Sequence, residues 1–193
     1  MKKCIIPLLV LSVLGLFMAA CAKPPTEEMN KAQDAVIRAE NDADAVNYAG
    51  NTLTRARDTL AKMQSEADAK RYDAARNLAA EAVSTAEKAI EEGKTGAARA
   101  KDEAANLLNS LSGPLADTSN ALSAARQIKG ITLDFDALSK DLDSANTTYN
   151  EARQNLLANN FREATAKGQS VRSLLAGINT GINEAIQAKS RKQ

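Results

Sequence analysis

The stretch that decides the fold is AARNLAAEAVSTAEKAIEEG, which runs from Ala74 to Gly93. Small residues recur in it with alternating steps of four and three residues, at Ala75, Ala79, Ala82, Ala86, Ala89 and Gly93. A sustained period of about 3.5 residues is typical of the contact face of left-handed coiled coils. The stretch therefore predicts a helix that packs closely against its neighbours, although each alanine buries little apolar area.

Four further stretches repeat this spacing, and they begin at Met29, Leu53, Leu138 and Ala164. The first of them includes Val36, Ala43 and Val46, and the second includes Leu60 and Met63. Tryptophan is absent and aromatic residues make up only 3% of the sequence, whereas alanine and other helix formers dominate it. Because helix-forming residues are abundant and runs of β-branched residues are missing, the composition predicts an all-α protein.

Capping and turn residues divide these helices. Thr26 is expected to cap the first helix, with Glu27 and Glu28 placed favourably at its positive end. Ser112-Gly113-Pro114 is the strongest break, and we predict a domain boundary there.

A helix from about Leu115 to Ile128, closed by Gly130, is expected to follow that boundary. Further boundaries are predicted at Tyr48–Asn51, Ala69–Arg71, Asp134 and Asn159-Asn160, with Asn160 and Glu163 as a capping pair.

The helix predicted from Tyr72 onward contains Gly93 and Gly96. Each glycine costs about 1 kcal/mol relative to alanine in a helix interior. This segment is therefore expected to be either one kinked helix as far as Leu111 or two shorter helices.

The two halves of the chain resemble each other. Ala56-Arg57…Leu60…Tyr72…Ala75 in the first half is echoed by Ala152-Arg153…Leu156…Phe161…Ala164 in the second. We therefore predict two tandem antiparallel three-helix, coiled-coil-like bundles, at residues 26–112 and 114–189, with a basic tail at 190–193.

The N-terminus has the pattern of a secretory signal. Met1-Lys2-Lys3 is positively charged, and the 16 residues from Ile5 to Ala20 are uncharged. That length is below the roughly 20 residues that a membrane-spanning helix needs. Residues 1–20 are therefore predicted to be a signal peptide, and a retained transmembrane or core helix is the alternative.

Met18-Ala19-Ala20-Cys21 resembles the lipobox of bacterial lipoproteins. The resemblance implies that the Cys21 thiol receives diacylglycerol, that further acylation such as palmitate follows, and that Cys21 becomes the N-terminus after cleavage. Residues 21–25 would then be the lipidated cysteine and its tether. The resemblance also implies the outer membrane, because Ala22 replaces the aspartate that favours inner-membrane retention. The periplasmic face is the preferred location.

The alanine-rich hairpins also resemble small helical envelope lipoproteins of uncharacterised function, for which spirochaetes are the expected source. The resemblance depends on the Tyr48-Ala49 turn and on the patterns "L..A...L" and "Y..A...A..A". It implies no binding residues.

The charge pattern restricts the partners. Without Lys2 and Lys3 the chain has 23 basic and 24 acidic residues, so a nucleic-acid partner is not expected. Lys189, Arg191 and Lys192 form a basic tail, either solvated or in contact with an anionic envelope polymer. Peptidoglycan is a candidate partner, but Gln193 follows Lys192, so a covalent link through a terminal lysine is not expected.

Residues suited to catalysis are scarce. Histidine is absent, and Cys21 would be the only cysteine after removal of the signal peptide, since Cys4 lies within it. We therefore predict no enzyme activity, no metal site and no cofactor. The carboxylates of Glu91-Glu92, and of Asp134 with Asp136, are interpreted as surface charges or helix caps.

Three weaker patterns favour structural interpretations. Gly93-Lys94-Thr95 is similar to the end of a phosphate loop, but Lys88 stands where that loop needs glycine, so a helix kink is expected instead. Five aromatic residues are expected to close helix ends: Tyr48, Tyr72, Phe135, Tyr149 and Phe161. The alternative is that they line a groove for a peptide, glycan or lipid. The spacing of Gly177 and Gly181 would permit close helix contact.

The functional hypothesis is a membrane-anchored helical lipoprotein that acts as a structural or protein-docking scaffold in the cell envelope. One alternative is a surface-exposed lipoprotein that acts as a host-interaction protein or antigen. A second alternative is a helical module that carries a lipid or small ligand.

Overall fold

The computed structural model describes residues 23–191, and all regular secondary structure in this range is α-helical. The helices are α1 (Thr26–Asn41), α2 (Ala43–Tyr48), α3 (Gly50–Asp68), α4 (Tyr72–Arg126), α5 (Phe135–Leu157) and α6 (Phe161–Ser190). The all-α prediction is confirmed. Three parts of the chain lie outside the described residues: the predicted signal peptide, the Cys21-Ala22 pair that follows it, and Lys192-Gln193 at the C-terminus.

The chain divides into two compact units, one ending at Gly93 and the other beginning at Lys94. The first unit consists of α1 with α2, then α3, then the first part of α4. The second consists of the remainder of α4, followed by α5 and α6. Each unit is thus a three-helix arrangement with short turns, which confirms the tandem bundles.

The predicted break at Ser112-Gly113-Pro114 is wrong, because all three residues lie inside α4. Proline lacks the backbone N–H that would bond to the carbonyl of Ser110, and it costs about 3 kcal/mol in a helix interior. Leu111 and Leu115 on either side are nevertheless buried in the core of the second unit. Burial of two leucines stabilises by about 3–6 kcal/mol, which exceeds that cost. The separate helix predicted from Leu115 is therefore the last part of α4.

The sequence did not predict the helix break at Asp42, which separates α1 from α2. The Asp42 side chain accepts a hydrogen bond of 2.8 Å from the backbone N–H of Ala45 and so caps α2. The break changes which residues face inward. Ala45 is fully buried, whereas Ala43 and Val46, which continue the predicted spacing, are exposed.

Other predicted helix ends are confirmed in position but differ in their capping. Asp134 caps α5 through a 2.9 Å hydrogen bond from the Ala137 N–H. The side chain of Asn160 makes no capping bond to α6, so its predicted pairing with Glu163 is wrong. Thr26 is the first residue of α1 rather than its cap, since Pro25 precedes the helix.

The predicted turns at Ala69–Arg71 and Asn159-Asn160 depend on residues in the left-handed backbone region. Lys70 has φ of 59° and Asn159 has φ of 61°. In the first of these turns, the Arg71 guanidinium forms an ion pair with Glu66 and lowers the pKa of that carboxyl group, chiefly through hydrogen bonding. These contacts join the end of α3 to the start of α4.

The two units differ in what they bury. The core of the first unit consists mostly of alanine, for example Ala32, Ala39, Ala56, Ala82 and Ala86. The core of the second unit contains large aliphatic residues, for example Leu108, Leu122, Val171, Leu175 and Ile178. Since the stabilisation from burial scales with apolar area, the second unit has the greater hydrophobic stabilisation.

A polar pair lies within the leucine-rich core of the second unit. The Asn179 side chain of α6 donates a 2.8 Å hydrogen bond to the hydroxyl of Thr118 in α4. Thr118 is fully buried and Asn179 is half-buried. A single buried hydrogen bond between two helices fixes how they align along their length.

We expect Thr118→Val to destabilise the protein by about 1–2 kcal/mol, because it leaves the Asn179 amide without its acceptor. The double variant Thr118→Val/Asn179→Leu is expected to be near neutral, since both polar groups are then removed together. Urea unfolding of the wild type, both single variants and the double variant measures the coupling between them. Additive effects would contradict the assigned pairing.

Candidate functional site

An open groove of about 450 Å³ lies between α1 and α3 in the first unit, and we call it the α1–α3 groove. From α1 it is lined by Gln33, Val36, Ile37 and Glu40, and from α3 by Arg57, Leu60, Ala61, Met63 and Gln64. On α1 the lining residues have i, i+3, i+4 and i+7 spacing, which places them on one helix face. Four of the α3 residues repeat this spacing. The groove is thus formed by two matching helix faces.

The middle of the α1–α3 groove is apolar. Val36 and Met63 are almost completely buried at its floor, whereas the Ile37 side chain is 43% exposed. Val36 and Met63 both belong to buried clusters, made mostly of alanines with Leu53, that join α1 and α3 to α4. The groove therefore presents apolar surface to solvent.

The ends of the α1–α3 groove are polar. At one end the Arg57 Nε donates a 2.6 Å hydrogen bond to the Glu40 carboxylate. The two helices run antiparallel, so Gln33 and Gln64 lie at the other end. The ion pair is substantially exposed and contributes no more than about 1 kcal/mol to stability. It leaves charged groups available for contact with a partner.

A second open groove, of about 310 Å³, lies between α1 and α4. Its floor is formed by Ala79, Ala80 and Val83, and its edges carry charged side chains. Arg76 at its edge pairs with Glu28 at 3.3 Å and with Asp73 at 3.1 Å. This groove is smaller, and like the α1–α3 groove it has an exposed ion pair at its edge.

The carboxylates considered as catalytic candidates lie at separate helix contacts. Glu92 accepts a hydrogen bond from the Thr52 hydroxyl of α3, which is the main cause of the lowered pKa of Glu92. Lys88 lies 3.5 Å from the same carboxylate and lowers its pKa further. Asp134 is a helix cap, and Asp136 is exposed in the first turn of α5.

Gly93-Lys94-Thr95 lies inside α4 and does not form a loop. A Cβ atom placed on Gly93 would lie 2.6 Å from the Cα of Ala45, in α2. Real Cβ atoms essentially never come so close to a backbone atom. The glycine is therefore needed for the close approach of α4 to α2. The segment expected to be one kinked helix or two shorter helices is one continuous helix, which extends beyond Leu111 to Arg126.

The aromatic residues follow the predicted distribution. Four of them begin or end a helix: Tyr48, Tyr72, Phe135 and Phe161. Phe161 is buried, and the Phe135 ring lies 5.3 Å from the guanidinium carbon of Arg126. Neither of the two grooves is lined by an aromatic side chain.

The Gly177 and Gly181 pair does not form a continuous contact face. A Cβ on Gly177 would meet open space, whereas one on Gly181 would touch the Leu138 side chain at 3.9 Å. In the tail, Lys189 lies in the last turn of α6, and Arg191 follows Ser190, the last residue of that helix.

Within residues 23–191, no helix is both long and apolar enough to span a membrane. In the same range, no three His, Cys, Asp or Glu side chains are grouped so that they could hold a metal ion.

Residues 27–105 match a protein-family model described as a domain of unknown function, DUF4398. The matched region contains α1, α2, α3 and the first part of α4, and it is less than half of the 193-residue chain. No curated protein and no solved structure matches the chain. The chain is thus similar to this family over nearly all of the described first unit, which carries both grooves.

Proposed function

We propose that this protein is a lipid-anchored, non-catalytic helical scaffold of the bacterial cell envelope that docks a protein on its first unit. The observation that carries the proposal is the α1–α3 groove, an exposed apolar surface formed by the faces of two adjacent antiparallel helices. Grooves of this kind receive a helix whose apolar residues recur at i, i+3 or i+4, and i+7. Both grooves are open along their length, which suits a protein partner better than an enclosed small ligand.

The position of the first unit suits an anchored scaffold. Cys21 precedes the first residue of α1, Thr26, by five residues. A fully extended chain covers at most about 3.6 Å per residue, so this segment spans no more than about 18 Å. Acylation at Cys21 would therefore hold the groove-bearing unit close to the membrane surface.

Replacement of Cys21 by serine tests the anchor. We expect Cys21→Ser to abolish incorporation of radiolabelled palmitate and to leave the signal peptide attached, since the acylated thiol is required for cleavage in the lipoproteins that the sequence resembles. The measurements are autoradiography and the intact mass of the purified protein. Cys4→Ser is the matched control, because it removes the other cysteine and should leave labelling and cleavage unchanged. Retained label in Cys21→Ser would overturn the proposed anchor.

The proposed location is the periplasmic face of the outer membrane. Protease treatment of intact and permeabilised cells, with a periplasmic protein as the integrity control, tests this location. Digestion only after permeabilisation is the expected result. Digestion on intact cells would place the protein on the surface and favour the host-interaction alternative.

A further inference from the structure

We propose that the partner held by the α1–α3 groove is a second copy of the same chain, so that the protein forms a symmetric dimer through this groove. The inference rests on the proposed function, because it names the partner for the surface that the scaffold is proposed to use. It is carried by the self-complementary arrangement of the groove residues, in size, in charge and in hydrogen-bonding capacity.

The middle of the groove is self-complementary in shape. Ile37 is a large, 43% exposed side chain on α1, and Ala61 is a small, exposed one at the corresponding level of α3. A two-fold axis parallel to the helices places α1 of each copy over α3 of the other. Each Ile37 then covers the Ala61 of the second copy, so both protruding side chains meet a small residue. Such an isologous contact uses the same surface on both copies.

The ends of the groove are complementary under the same symmetry. Glu40 of each copy comes to lie over Arg57 of the other, so the ion pair seen within the chain is extended into a group of two carboxylates and two guanidinium groups. At the other end Gln33 faces Gln64, and each amide both donates and accepts hydrogen bonds. An axis perpendicular to the helices would instead place Ile37 against Ile37 and Glu40 against Gln33, which loses both matches.

The size of the interface predicts a weak dimer. The groove spans eight residues along α1, from Gln33 to Glu40, and the seven steps of 1.5 Å between them cover about 10 Å. With two helices of about 10 Å width, the contact buries only a few hundred Å² per copy, below the roughly 800 Å² of a stable interface. Lipid anchors would confine the copies to one membrane and raise their effective concentration, so the dimer is expected on membranes more than in dilute solution.

Charge reversal provides a test that is specific for this pairing. A copy with Glu40→Arg repels its own kind at the groove end, as does a copy with Arg57→Glu. When the two variants meet, opposite charges again face each other in both symmetry-related contacts at the charged end of the groove. We therefore expect each variant alone to lose cross-linked dimer by at least about fivefold, and the mixture of the two to recover it.

Cross-linking between engineered cysteines gives the readout. Full-length chains with two different tags are co-expressed in one cell, one with Ile37→Cys and the other with Ala61→Cys, and the isolated membranes are oxidised. The experiment is then repeated with Glu40→Arg in both chains, with Arg57→Glu in both chains, and with Glu40→Arg in one chain and Arg57→Glu in the other. A disulfide-linked product containing both tags is expected, and it should exceed the product from two Ile37→Cys chains. Val46→Cys paired with Ala61→Cys is the matched control, since Val46 is 48% exposed but lies outside the groove. A chain without added cysteines reports any contribution from Cys21.

A photoreactive residue introduced at position 37 separates the failure of this inference from the failure of the proposed function. A product of twice the chain mass supports the dimer. A product with a different protein would overturn the dimer while leaving the docking function intact. No product at position 37, with the protein shown to be folded and anchored, would overturn both.

Discussion

Replacing Gly93 with alanine is expected to destabilise the first unit by about 2 kcal/mol, whereas the same substitution at Gly177 should stabilise the protein by about 0.5–1 kcal/mol. Gly93 lies inside α4 and Gly177 inside α6, so the change in helix propensity is similar at both positions. Their surroundings differ. A Cβ on Gly93 would come within 2.6 Å of backbone atoms of Asp44 and Ala45, and a Cβ on Gly177 would meet nothing within 4 Å.

The physical reason for the opposite signs is that backbone atoms cannot move aside as the tip of a flexible side chain can. Overpacking costs about 1–3 kcal/mol, occasionally more, and the clash at Gly93 involves the backbone of a fully buried residue, Ala45. A cost of about 3 kcal/mol, less the roughly 1 kcal/mol gained in helix propensity, leaves the net loss stated.

Urea unfolding followed by circular dichroism measures both variants. Hydrogen exchange then locates the effect, because the amides of α2 should lose protection in Gly93→Ala and retain it in Gly177→Ala. If both substitutions stabilised the protein equally, the close approach of α4 to α2 would be wrong.

Replacing Ile178 with alanine is expected to cost about 3–4 kcal/mol, the largest loss predicted for a single side chain in the second unit. Ile178 is 1% exposed and lies in the large aliphatic core together with Leu142 and Leu175. Its removal creates a cavity in a core with few small residues around it. Ile186→Ala is the matched control, because Ile186 lies in the same helix but is 40% exposed, and it should cost less than about 1 kcal/mol.

The measurement is the shift of the urea midpoint at constant slope, which reports stability without a change in the surface exposed on unfolding. A loss for Ile178→Ala no larger than that for Ile186→Ala would contradict the assigned core. The position equivalent to Ile178 in the internal repeat is Ala89, which is also fully buried. The first unit thus already has alanine where the second depends on isoleucine, and we expect its amides to exchange faster.

Much of the fold was predictable because the relevant signals are local. Helix propensity, the spacing of alanines and the turn residues act over a few neighbouring positions, and these predicted the three-helix units and the turns at Lys70 and Asn159. Asp134 was predicted as a helix start for the same reason, since an aspartate accepts a hydrogen bond from an N–H three residues ahead.

The candidate groove was predictable only in part. Val36, Leu60 and Met63 belong to the predicted contact faces, and the structure places all three at its lining. Ile37, one residue away from that spacing, was the available sign of a second apolar face on α1. The pairing of Glu40 with Arg57 could not be predicted, because the two residues are 17 positions apart and meet only through the antiparallel alignment of α1 and α3.

The sequence by itself determined that this chain is helical, which faces of its helices are apolar and where most of its turns lie, because each of these depends on near neighbours in the chain. The tertiary structure alone decided the conformation of residues whose intrinsic helix propensity conflicts with the packing around them. Pro114 remains inside α4 because Leu111 and Leu115 are buried beside it, and Gly93 allows α4 to approach α2. In both cases contacts between residues distant in the chain outweigh a local preference of about 1–3 kcal/mol.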